Sequence, residues 1–145
     1  KANVGTKVLV VGGGMVGCEA AEYLAEREHE VGIIEMKDVI AADVTPESRR
    51  YMFENFEEHH TVLQPGAKVC KFYPDGVDYT LADGTAGSMR GYDNVVLAMG
   101  SRSNAVLKEA AERVAGQVIV IGEAFKAPGN AVTATGDALN AALQI

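Results

Sequence analysis

Three glycines, Gly12, Gly14 and Gly17, stand at G-x-G-x-x-G spacing in VLVVGGGMVGCEAAEYLAEREHEVGIIE, residues 8–35. This spacing suits the pyrophosphate of a dinucleotide. Gly12 permits a tight turn out of the apolar run before it. Gly14 has no side chain, so a pyrophosphate can approach the backbone, and Gly17 lets a helix pack closely on a strand. Amides opening that helix face the phosphates, aided by the helix dipole. Glu35 follows Gly17 at close to the ~20-residue spacing of an acid that accepts from ribose hydroxyls. The glycines follow an apolar strand, open a helix and lead to an acid, which is the context the motif requires. A packing device without ligand is the lesser alternative, because packing alone does not call for Glu35.

Other residues with chemical potential carry competing readings. Glu19, early in a helix, serves the dipole equally well as a solvated acid. Lys37 suits a 2′-phosphate, but a surface lysine is the commoner use. Cys18 follows Gly17 in the helix and reads as a small buried residue rather than a nucleophile. His59 and His60 end a helix, where cations suit the dipole. Glu54, Glu57 and Glu58 read as a solvated helix face, and Asp137 as a helix-surface acid. Nothing points to a metal site or to a catalytic acid or base.

The elements that must position these groups follow from the pattern. Residues 7–11, continuously apolar from Val8, form a strand buried on both faces. A helix spans 15–28, with Val16, Ala20 and Leu24 on one stripe. A strand covers 31–35 and a loop 38–44. Thr45-Pro46 caps and starts a second helix running to about residue 59, and residues 62–63 form a short strand. Strands at 68–72, 77–81 and 86–91 are then split by Asp75-Gly76 and Asp83-Gly84, read as type I′ hairpin turns. Residues 94–99 return to an apolar strand. A short helix at 107–114, a buried strand at 118–121 and a helix at 130–143 complete the chain. The expected fold class is α/β: a Rossmann-like three-layer ββα arrangement, a parallel sheet with a three-stranded antiparallel meander in the crossover.

Composition bounds the setting. The 145 residues are 48% hydrophobic and 23% charged, enough for a domain with a real core. A net charge of −7 without a basic run argues against nucleic acid or anionic membrane as partner. No apolar stretch reaches the ~18 residues of a membrane span. Cys18 and Cys70 form neither a C-x-x-C pair nor a zinc site, so a reducing cytoplasm is the simplest setting. Beginning at Lys1, the chain reads as a piece of something longer.

VVGGGMVGCEAAEYLA, the meander, VVLAMGSRSN and VIVIGEAFKAPGNAVTATGDALNAALQI together resemble the pyridine nucleotide–disulfide reductase-like flavoproteins. Within them the likeness is to the C-terminal region of NADH:flavin oxidoreductases of the large old yellow enzyme type, relatives of enoate and 2,4-dienoyl-CoA reductases. The resemblance implies an NAD(P)-binding domain at 1–115 and, at 116–145, the last segment of an interrupted FAD-binding domain. It implies NAD(H) as the cofactor of this chain, with FAD, FMN and a 4Fe–4S cluster only in the full-length parent. The partners implied are NADH and the flavin and barrel domains of the same chain. Gly12, Gly13, Gly14, Met15, Val16 and Gly17 then hold the pyrophosphate and Glu19 lies beside the nicotinamide. Glu35 holds the adenosine ribose, with Met36 and Lys37 following it among the cofactor-binding residues. Ala98, Met99 and Gly100 bring backbone close to the cofactor, and Gly122 and Glu123 match a Gly-Asp pair that reaches the flavin. Glu123 is one methylene longer than that Asp, and Ser103 stands where relatives often carry Pro. With one glycine fingerprint, the chain is expected to hold the nicotinamide cofactor alone and, isolated, to be inactive.

Two other functions fit the sequence less well. An NAD-sensing regulatory domain without turnover leaves the Gly122-Glu123 tail unexplained, and a flavin absorption band in the parent separates the two readings. A methyltransferase usually spaces its glycines G-x-G-x-G, and position 16 is Val.

Overall fold

A computed structural model describes residues 3–145. The chain divides into two compact units, the first ending at Met99 and the second Gly100–Ile145.

In the first unit, β1 (Lys7–Val11), α1 (Met15–Ala25), β2 (Glu30–Ile34), α2 (Pro46–Glu58) and β3 (Val62–Gln64) alternate. The meander β4 (Ala67–Tyr73), β5 (Gly76–Leu81) and β6 (Ala86–Arg90) follows, then β7 (Asn94–Leu97). The parallel sheet has order β3-β2-β1-β7, and β4-β5-β6 form a separate antiparallel sheet. β1 alternates between two cores. Val8 and Val10 pack toward α1 and α2 with Cys18, Ala21, Leu24, Ile33, Met52 and Phe56. Leu9 and Val11 face the meander with Ile34, Ala67 and Val77. A strand sandwiched in this way must be apolar at every buried position, which is why its run is continuous from Val8 to Val11. The expected three-layer ββα architecture is present. Strand order reverses between β1 and β7, and the carboxyl ends there form the switch-point crevice where open α/β sheets take ligands.

Several local expectations are corrected. α1 ends at Ala25 rather than residue 28, and Glu28 turns the chain with φ 64°. The His29 ring nitrogen, 2.8 Å from the Gly5 carbonyl, anchors the following segment. The buried stripe of α1 is Gly17, Cys18, Ala21, Leu24 and Ala25. Val16, expected on that stripe, is 67% exposed. Gly17 sets this phase, because only its missing side chain lets the helix lie against the Gly12 carbonyl. The hairpins also differ from type I′. Tyr73 pairs with Gly76, so the first loop is Pro74-Asp75, and proline cannot supply the positive φ a type I′ turn needs. In the second, Gly84 (φ 87°) lies at positive φ without Asp83, and the Asp83 carboxylate accepts from the Thr85 N–H at 2.8 Å.

The second unit holds α3 (Lys108–Glu112), a 3₁₀ turn (Gly122–Ala124) and α4 (Ala131–Ala142). Asn130 caps α4 through a capping box: its side chain accepts from the Thr133 N–H, and the Thr133 hydroxyl accepts from the Asn130 N–H, each at 2.9 Å. Residues 118–121, expected as a buried strand, make no ladder, and residues 118–120 are half-buried. A strand needs a partner edge, and among the described residues these pair with none. No helix among the described residues is long and apolar enough to cross a membrane.

Candidate dinucleotide site

The glycine turn runs from the carboxyl end of β1 into α1. Gly12 sits at φ 109°, and its N–H donates to the Ile34 carbonyl at 2.9 Å. A Cβ on Gly12 would run into the Ala98 carbonyl, and one on Gly17 into the Gly12 carbonyl oxygen. Both glycines are therefore demanded by backbone packing. Gly14 is different. As the N-cap of α1 it has φ −76° and ψ −179°, which any residue adopts. Its added Cβ would meet only the Asp43 carboxylate, at 3.3 Å. Protein packing does not require glycine there.

Glu35, immediately after β2, is 8% exposed. Its Oε2 accepts from the Gly13 N–H at 2.6 Å and its Oε1 from the Lys37 N–H at 2.9 Å. The acid and the turn are thus joined directly, and a Cβ on Gly13 would sit 2.9 Å from the Glu35 Cβ. Each carboxylate oxygen keeps a further lone-pair direction for another donor.

The loop after Glu35 closes over the turn. The Ala41 N–H donates to the Gly13 carbonyl at 2.7 Å, with Ala41 in the left-handed region at φ 55°. Ile40 is buried, and the Arg49 Nε donates to its carbonyl at 3.0 Å. These anchors carry Asp43 to the start of α1, where the Met15 N–H reaches its Oδ1 at 2.9 Å and its Oδ2 at 3.1 Å. Spacing did not single out Asp43, Ile40 or Ala41. The available signal was an acid in the loop after strand two, at the sheet's ligand-binding edge.

Cys18 lies beneath the turn, with Sγ 3.4 Å from the Gly13 carbonyl. Burial, with the nearby Asp43 and Glu35 charges adding, pushes its thiol up to about 11. It stays protonated at neutral pH, as a packing residue should. Cys70 is exposed, and both cysteines are free. Among the described residues no group of His, Cys, Asp and Glu could hold a metal ion.

Gly12, Gly13, Gly14, Gly17, Glu35 and Ala98 are therefore brought together at the crevice. Met15, Val16, Met36 and Met99 are exposed apolar residues, and Glu19 and Lys37 are exposed as well. Gly100 (φ 83°), Gly122 (φ 61°) and Glu123 belong to the second unit. There the Glu123 Oε1 accepts from the Ser101 hydroxyl and the Gly129 N–H, each at 2.9 Å. The Gly129 amide and then the Ser101 hydroxyl hold its carboxyl below the usual range. Asp137 is more than the surface acid expected, since it accepts from the Gly122 N–H at 3.1 Å and braces the 3₁₀ turn.

A parallel sheet, a glycine turn at its switch point and an acid bonded to that turn define a Rossmann-like nucleotide-binding fold. The chain belongs to the pyridine nucleotide-disulphide oxidoreductase family, whose pattern matches residues 1–144. It is 37% identical over 140 residues to an NADH oxidase of Thermoanaerobacter brockii, covering 96% of this chain and 21% of that protein. It is also 37% identical over 117 residues to a bilirubin reductase of Mediterraneibacter gnavus, covering 81% of this chain and 18% of that one. Among solved structures, a 2-naphthoyl-CoA reductase in complex with 2-naphthoyl-CoA superposes with a TM-score of 0.79 at 26% identity. That match covers 94% of this chain and 20% of the reductase. The chain thus spans about a fifth of the length of these relatives.

Proposed function

We propose that the chain is the nicotinamide-dinucleotide-binding module of a flavin-dependent NADH oxidoreductase. The observation that carries this reading is the direct hydrogen bond from the Gly13 N–H to Glu35, a carboxylate able to accept from ribose hydroxyls held against the glycine turn. The turn also suits an anion. A carboxylate, that of Asp43, already rests on the Met15 amide, and a Cβ on Gly14 would meet no other protein group. Gly12 to Gly17 would hold the pyrophosphate and Glu35 the adenosine ribose. Met36, Lys37, Ala98 and Met99 would line the crevice. Glu19, one turn into α1, would lie beside the nicotinamide. The bound NADH supplies a hydride from nicotinamide C4. The side chains named here bind and orient, and none acts as acid or base in that step. The parent would carry FAD, toward which Gly122 and Glu123 would contribute, together with FMN and a 4Fe–4S cluster. The relative named NADH oxidase supports NADH as the reductant.

Cofactor choice follows from Glu35. Its carboxylate accepts from ribose hydroxyls and repels a 2′-phosphate. Charge-assisted hydrogen bonds are worth about 1.5–3 kcal/mol. NADH should therefore bind at least roughly tenfold more tightly than NADPH. Calorimetric titration with both nucleotides checks this, and equal affinities would refute it.

The flavin belongs to the parent on this reading. Purified alone, these 145 residues should be colourless and should not oxidise NADH, whereas the longer protein should be yellow and should do so. Stoichiometric FAD retained by the chain alone would mean that the Gly12–Gly17 turn serves the other dinucleotide.

A further inference from the structure

We propose that Asp43 is a built-in competitor of the dinucleotide's pyrophosphate and sets how tightly the site takes its ligand. The inference rests on the proposed dinucleotide-binding function. Both Asp43 carboxylate oxygens lie on the Met15 N–H, at 2.9 and 3.1 Å, at the first turn of α1. The same carboxylate is what a Cβ on Gly14 would meet, at 3.3 Å. The volume that Gly14 keeps clear, and the amide that a phosphate would use, are therefore held by one anionic side chain.

Two anions do not share that position. Asp43 is itself exposed, but its loop is anchored on both sides of Gly13. The Ala41 N–H holds the Gly13 carbonyl at 2.7 Å, and Ile40 is buried 3.2 Å from the Cβ position of Gly13. The anchors keep the carboxylate within reach of the amide, while exposure lets it swing into solvent without moving the turn. Asp43 thus satisfies an otherwise unpaired helix-start donor while the site is empty, and a phosphate must displace it. Each ligand that puts a phosphate there loses the Asp43–Met15 interaction and gains a neighbouring like charge.

The loss of a partly exposed anion at a helix start predicts a modest brake. Asp43→Asn and Asp43→Ala should each tighten ADP-ribose and NADH roughly three- to tenfold. The gain should shrink as salt is raised from 20 to 500 mM (chosen test conditions), because it is electrostatic. Adenosine, which fills the ribose contact but has no pyrophosphate, should bind all three proteins alike. Titration calorimetry of the full chain with the three ligands reads this directly. ADP-ribose affinity that is unchanged or weaker in both variants would overturn the proposal and leave Asp43 a positioning cap. An equal gain for adenosine would overturn it too, by locating the effect in the loop rather than at the phosphate. Absence of ADP-ribose binding in wild type and variants alike would instead remove the dinucleotide reading, and this inference with it.

Discussion

Gly14→Val is expected to abolish NADH binding, by at least about a hundredfold, while the far-ultraviolet circular dichroism stays close to that of the wild type. The backbone of Gly14 is already in an extended conformation open to any residue, at φ −76° and ψ −179°. Its added Cβ meets no backbone atom, only the Asp43 carboxylate, which can turn away into solvent. The cost to the fold is that of a poor N-cap, about 1 kcal/mol. The branched side chain would nevertheless stand over the first amides of α1, where the pyrophosphate is proposed to lie. A few tenths of an ångström of lost approach there removes several hydrogen bonds together, each charge-assisted. Titration of the variant with NADH checks this. Wild-type affinity would place the phosphate site elsewhere on the molecule.

Gly17→Ala is expected to act in the opposite way, on the fold. One methyl group there would collide with the Gly12 carbonyl oxygen, and the Ala98 Cβ would lie 3.2 Å away. Neither neighbour yields easily. Gly12 is held to Ile34 by its own N–H, and the Ala98 N–H donates to the Val11 carbonyl at 2.8 Å. The helix must lift from the sheet, which disturbs the core around Cys18 and Ala21. Overpacking of this kind costs about 3 kcal/mol. For a unit of this size that lowers Tm by about 10–20 °C. Thermal unfolding followed by circular dichroism gives the number, and a melting curve unchanged from wild type would show that α1 does not rest on that carbonyl. The two glycines of one motif thus separate: packing demands Gly17 and does not demand Gly14.

Much of the first unit was legible in the residues. The continuous apolar run of β1 signalled a strand between two layers, and both layers are there. Thr45-Pro46 marked the start of α2, where the Thr45 hydroxyl accepts from the Ser48 N–H. Glycine pairs located the meander but not its turn types. Turn type depends on cross-strand register, and Tyr73 opposite Gly76 leaves proline inside the loop. The second unit was less legible. An apolar run such as residues 118–121 reads as a strand wherever it occurs, but a strand exists only when another edge pairs with it.

By itself the sequence determined the glycine turn, the acid at its expected distance and the order of elements, because these depend on local spacing and on apolar periodicity. It also determined the family through the same residues. Only the tertiary structure decided which face of α1 is buried, since the contact of Gly17 with the Gly12 carbonyl fixes the helix phase and turns Val16 outward. Only it showed that Glu35 is bonded to the turn it serves. And only it brought Asp43 onto the Met15 amide, because that meeting depends on Ile40 and Ala41 folding back over Gly13, a long-range closure that no local pattern in the chain records.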